Sequence, residues 1–145
     1  MATILTGRFV WFEYVSKEND KAQAFFDKLF QWKTKTVPMS HGSYTMIALG
    51  NDAIGGYQQP PPGAPQDAYW LAHLQVANAQ ETANKVKALG GKITKEPFKF
   101  GYAGTMAVVV DPLGAPFGLW QSAKPETEAN DYKGVIVLDD IWYFK

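Results

Sequence analysis

The chain has no cysteine and only two histidines, so any chemistry must be carried by oxygen and nitrogen groups. Two residues have the type and spacing for acid–base work: Glu13 in FVWFEYV and His73 in WLAHLQV. They lie at equivalent places in two apolar, strand-like segments. The sixty-residue offset between them also overlays Trp11 on Leu71 and Leu29 on Leu89. Side chains two apart on a strand share a face, so Glu13 is expected to point with Trp11, and His73 with Leu71. A carboxylate and an imidazole on one surface can act as a general base oriented by an acid, or as half of a displaced metal site. The competing role is structural, with His73 hydrogen-bonded in a cavity wall and Glu13 paired with a Lys, Tyr or Trp. A metal would need further ligands, for which Gln58, Gln121, Asp111 and His41 are the candidates; Gln is a weak ligand, and His41, in Ser-His-Gly-Ser, suits an exposed turn.

Aromatic residues offer a different chemistry. Trp11, Tyr57, Tyr102 and Trp120, with Leu71, are candidates to line a pocket for a flat or apolar molecule, and Glu13 and His73 would be its few polar groups. Trp70 and Trp32 suit the core or a subunit contact better. Gly101-Tyr102-Ala103-Gly104 reads either as a loop able to cover a ligand or as a plain hairpin turn. No nucleophile elbow, phosphate-binding loop or dinucleotide fingerprint occurs, which argues against serine hydrolase, nucleotide hydrolase and dehydrogenase activities.

The elements that must position these residues occur twice. FVWFEYV, the helical ENDKAQAFFDKLF and the extended WKTKTV, YTMIALG and AIGGYQ are followed by WLAHLQV, AQETANKVKALG, KITKEPF, GTMAVVVD and PFGLWQ in the same order. Ala22, Phe25, Phe26, Leu29 and Phe30 fall on one helix face, as do Ala79, Ala83, Val86 and Leu89. Val10, Phe12 and Tyr14, with Ala72, Leu74 and Val76, are expected to meet those helices. Asn78 with Glu81 signals a helix start, and Gly90-Gly91 a helix end. A 63-residue offset overlays Ile54-Gly55-Gly56-Tyr57-Gln58 on Phe117-Gly118-Leu119-Trp120-Gln121, which points to duplication. The stretch QQPPPGAPQD holds four of the nine prolines and reads as a stiff connector, and Asp111-Pro112-Leu113-Gly114 as a tight turn between strands.

With these motifs, and DPLGAPFGLWQ above all, residues 8 to 121 resemble the vicinal oxygen chelate superfamily of glyoxalases, bleomycin-resistance proteins and extradiol dioxygenases. The resemblance implies an α+β fold: two βαβββ modules in tandem (8–58 and 70–121, joined by 59–69), with curved sheets forming a cup and helices outside. It also implies a divalent cation held by His, Glu or Gln on the first and last strands of each module. Those positions fall here on Trp11, Leu71, Gly55 and Gly118, none of which has a ligating side chain. A glyoxalase-like cup without the usual metal site is therefore expected, and no cofactor is expected, although a divalent metal at a relocated site stays possible.

The 14 basic and 14 acidic residues balance without a cationic stripe, arguing against a nucleic-acid partner. No apolar run approaches the ~20 residues of a membrane span, and the first residues show no export pattern, so a cytoplasmic location is expected. Residues 122–145 lie outside the repeat. Their Val135–Leu138 and Ile141–Phe144 runs are apolar enough to pack on the domain or on a second subunit, and a homodimer is expected. The leading functional expectation is a metal-independent binder of a small apolar or aromatic molecule. A lyase or isomerase using Glu13 and His73, or an interaction protein with a vestigial cup, are the alternatives.

Overall fold

A computed structural model describes residues 4–40, 42–64 and 67–124. The elements are β1 (Phe9–Val15), α1 (Asn19–Phe30), β2 (Lys33–Met39), β3 (Gly42–Leu49), β4 (Asp52–Gln58), β5 (Tyr69–Gln75), α2 (Ala79–Ala88), β6 (Lys92–Phe100), β7 (Gly104–Val110) and β8 (Pro116–Ser122). The fold is α+β: one curled, mixed eight-stranded sheet in the order β2-β3-β4-β1-β5-β8-β7-β6, with two helices. β1 and β5 run antiparallel at the centre, and each is flanked by the parallel last strand of its own βαβββ unit. The pairing is the same on both sides: Glu13 stands beside Gly56, and His73 beside Gly118. Each outer strand carries a proline, Pro38 in β2 and Pro97 in β6. A residue without an N–H is tolerated at a sheet edge, where it also discourages pairing with another chain.

The two helices pack differently. In α2, Asn78 Oδ1 accepts the amide of Glu81 at 3.0 Å, and the helix ends where Gly90 adopts a φ of +87°. Both signals are those expected from the sequence. Its Ala79 and Ala83 are fully buried against Val76, Ala107, Val109 and Leu119, small residues that let the helix approach the sheet closely. In α1 the apolar residues that turn inward are Ala22 and Phe26, onto Ile47, Tyr57, Tyr14 and Trp32, while Asn19 at its start is buried and donates to the Gln58 carbonyl. Phe25, Leu29 and Phe30 are half exposed or more, as is Leu89 beyond α2, so the apolar faces expected of the two helices are only partly buried. Bulky rings between α1 and the sheet fill the contact before the flanking residues can reach it.

The turn at Asp111–Gly114 forms as expected. Asp111 Oδ1 accepts the amides of Leu113 and Ala115, and Gly114 takes a φ of +96° that a side chain would oppose. The expectations for His41 and for the 125–145 tail fall outside the described residues.

Candidate functional site

Strand alternation and register together assemble the site. Trp11 is paired with His73, and Glu13 with Leu71, so Glu13 and His73 are diagonal neighbours on the concave face of the sheet. Both are buried, with 3% and 1% of their side chains exposed, and Glu13 Oε2 lies 3.9 Å from His73 Nε2. Two glycines make room for them. A Cβ on Gly118 would stand 2.1 Å from His73 Nδ1, and one on Gly56 would stand 1.9 Å from the hydroxyl of Tyr44.

Tyr44, from β3, is a site residue that sequence reading missed, as is Phe100 of β6. The Tyr44 hydroxyl donates to Glu13 Oε1 at 2.9 Å and accepts from Trp11 Nε1 at 2.9 Å. Gln58 Nε2 adds a longer bond to the same carboxylate oxygen at 3.4 Å. A tyrosine within an alternating strand resembles a core residue, and only the lack of a side chain at Gly56 hints at the space its hydroxyl occupies.

Burial dominates the electrostatics. It raises the Glu13 carboxyl to about 7, although hydrogen bonds from Tyr44 and Gln58 and the charge of Lys95 pull the other way. Burial also lowers His73 to about 4, so the imidazole is neutral near pH 7 and the 3.9 Å contact is not a pair of full charges. Burial, and then the charge of Glu13, push Tyr44 upward, which keeps it a phenol and a hydrogen-bond donor.

Two clefts meet at Glu13 and Met106, which line both. The smaller, about 320 Å³, is walled by Trp11, Tyr44, His73, Phe100, Tyr102 and Trp120. The larger, about 650 Å³, is lined by Leu71, Gln58, Lys95 and Val108 among others. Trp11, Tyr102 and Trp120 are thus brought together with Glu13 and His73, while Leu71 faces the neighbouring space. Tyr102 sits fully exposed in the β6–β7 hairpin turn at the mouth of the smaller cleft. Tyr57 is a correction: Gly56 and Gln58 face the concave side, so alternation turns Tyr57 to the opposite face, where it packs edge-on against Tyr14 beneath α1. Val10 is another. A register shift between Phe9 and Trp11 leaves it as an extra residue on β1 and places it in the cleft wall instead of under the helices. Trp70 and Trp32 belong to the aromatic cluster around Phe26, away from the clefts.

The metal that the resemblance implies does not fit the donors present. The residue of β4 that corresponds to Gly118 by strand pairing is Gly56, not Gly55 as the 63-residue offset suggested, and neither can ligate. Gln121 caps α2 by accepting the amide of Ala79 at 2.9 Å, and one carboxylate oxygen of Asp111 is engaged in its turn. Among the described residues Glu13 and His73 remain as donors, with only the weakly ligating amide of Gln58 beside them. Among the described residues no group of three His, Cys, Asp or Glu side chains could hold an ion.

No protein-family model matches the chain. It is 32% identical over 116 residues to CFP32 of Mycobacterium bovis, a protein named as a candidate glyoxylase, covering 77% of this chain and 44% of the relative. It is 26% identical over 140 residues to the anthracycline biosynthesis protein DnrV of Streptomyces peucetius, covering 87% of this chain and 51% of that protein. The chain thus spans about half the length of these relatives, or less. Among solved structures, a methylmalonyl-CoA epimerase in complex with methylmalonyl-CoA superposes with a TM-score of 0.57 at 12% identity, over 84% of this chain and 99% of that one. The Mn(II)-bound glyoxalase of Novosphingobium aromaticivorans superposes with a TM-score of 0.53 at 13% identity, over 92% of this chain and 44% of that one. The repeated βαβββ topology and these likenesses together place the chain in the vicinal oxygen chelate superfamily, the glyoxalase, bleomycin-resistance and dioxygenase group.

Proposed function

We propose that the protein is a glyoxalase-like binder of a small, flat, apolar or aromatic molecule, held in the 320 Å³ cleft without a metal. The observation that carries this reading is the cleft's composition: Trp11, Phe100 and Trp120 supply ring surfaces, three methionines add adaptable apolar contact, and among the described residues Glu13 and His73 are its only ionisable ones besides two tyrosines. The volume lies at the lower end of the ~300–1,000 Å³ usual for ligand sites, which suits a ligand of two or three rings. The name of DnrV supports the reading, because anthracyclines are fused-ring aromatic compounds.

The test is a titration with naphthalene and anthracene derivatives, following fluorescence of the wild type and of Trp120→Ala. Saturable quenching that weakens about tenfold or more in the variant is the expected result, in line with the loss of one well-packed ring. Absence of saturable binding across the panel would sink the reading.

We further propose a cytoplasmic homodimer. What supports the dimer is the apolar face formed by Phe25, Leu29, Phe30 and Trp70, large side chains that the other described residues leave exposed. Sedimentation of the wild type and of a Phe25→Ser, Phe30→Ser double variant tests it; a wild type sedimenting as a monomer would overturn it.

A further inference from the structure

Deepening that reading of the smaller cleft, and resting on it, we propose that Glu13 and His73 together grip one hydroxyl oxygen of the ligand, so that the cleft selects phenols over ring systems lacking a hydroxyl.

The geometry begins with the fixed half of the carboxylate. Tyr44 and Gln58 both donate to Oε1 of Glu13, and Trp11 anchors the Tyr44 hydroxyl beside the carboxylate. Oε2 is left directed at His73. The 3.9 Å from Oε2 to His73 Nε2 is too long for a direct hydrogen bond. The separation is one that a single oxygen at about 2.8 Å from both atoms can span, once a small turn of the His73 ring opens Nε2, which is closed off from solvent in this structure, to the cleft. Among the described residues His73 Nε2 has no hydrogen-bond partner, although its side chain is 99% buried. A buried ring nitrogen left unpaired is costly, and a ligand atom that satisfies it recovers that cost on binding.

The kind of atom follows from the donor and acceptor inventory. A hydroxyl donates once and accepts at the same time. If the carboxyl is ionised, the hydroxyl donates to Oε2 and accepts from an N–H on Nε2. If the carboxyl is protonated, the hydroxyl accepts from it and donates to a bare Nε2. Either proton arrangement is complete. An ether meets both members only when both carry a proton and an ammonium only when neither does, whereas a hydroxyl completes the two arrangements in which one member donates and the other accepts. The surrounding surfaces of Trp11, Phe100, Trp120 and Met106 are apolar, so a hydroxyl reaching this pair has to be carried on a ring that fills the cleft. A hydroxylated aromatic is the ligand class that meets both requirements.

The test compares 2-naphthol, naphthalene and 2-methoxynaphthalene by calorimetry on the wild type, then on His73→Phe, which keeps a ring but removes Nε2. The expected result is that 2-naphthol binds about tenfold or more tighter than the other two, as one satisfied buried polar pair implies. In His73→Phe that preference should shrink to within about threefold. Equal affinities for all three compounds in the wild type would overturn the proposal, showing that Glu13 and His73 close on each other, and would leave the aromatic-cleft reading standing. Binding of none of the three would overturn both. The wild-type series decides the matter even if His73→Phe does not fold.

Discussion

The imidazole of His73 occupies the space that a side chain on Gly118 would need, a Cβ there standing 2.1 Å from Nδ1 and 2.4 Å from Cε1. Gly118 is the parallel neighbour of His73 on β8, and the φ of Gly118 is not in the left-handed region, so its backbone alone would accept any residue. Room for the ring is what requires glycine. Gly118→Ala is therefore expected to swing His73 out of its site and to cost roughly 1–3 kcal/mol, the usual penalty of overpacking. A denaturant titration gives the stability. NMR titration of the His73 ring should show its pKa rising from about 4 toward the ordinary value as it gains water.

The pH dependence of stability should be nearly flat in the wild type and steep in single variants. Burial raises Glu13 to about 7, so its contribution is fully present below the unfolded carboxylate value and is lost as the pH rises through 7. Burial lowers His73 to about 4, so its contribution is present above the unfolded imidazole value and is lost as the pH falls through 4. Between about pH 4.5 and 6.5 the two trends oppose each other. Relative to the wild type, Glu13→Gln should lose stability as the pH falls across that window, and His73→Phe should gain it. Each difference is of the order of 2–3 kcal/mol. Melting in the same buffers at pH 4.5, 5.5 and 6.5 checks both signs, and parallel curves for all three proteins would refute the assignment.

Removing the Tyr44 hydroxyl takes a donor from Glu13 Oε1 and leaves Trp11 Nε1 without its acceptor. Because the Tyr44 bond lowers the Glu13 pKa, Tyr44→Phe should move it further above 7. The loss of stability should be about 1–3 kcal/mol where Glu13 is ionised, and smaller where it is protonated. Denaturant midpoints at pH 8.5 and 5.5 make the comparison, and a greater loss at the lower pH would contradict it.

The two helices should differ in their tolerance of substitution. Ala83 is fully buried between α2 and the sheet, so Ala83→Leu should cost about 1–3 kcal/mol or disrupt folding. Phe25 on α1 is 59% exposed, and Phe25→Ser should shift the stability of a single subunit by no more than about 0.5 kcal/mol. Thermal unfolding at low protein concentration, where association contributes little, separates the two cases.

Much of this was legible before any tertiary structure. Alternation along FVWFEYV and WLAHLQV was enough to put Glu13 with Trp11 and His73 with Leu71, each pair on one face of its own strand, because a strand's side-chain period is two whatever surrounds it. The α2 cap, the Asp111 turn and the order of the repeated elements were equally local, since each depends on a few neighbouring residues. Register and packing decided the rest. The placement of Tyr57 failed because an offset of 63 cannot say which residues of β4 and β8 correspond; hydrogen-bonded pairing can, and it matches Gly56 with Gly118. Val10 reached the cleft through a shift in the β1–β5 ladder that leaves no signature in composition. Tyr44 became part of the site only because β3 lies two strands from β1, with a glycine of β4 between them. Short-range chemistry is written along the chain, but contacts that cross a sheet depend on which strands lie side by side and in what register, and only the folded structure sets those.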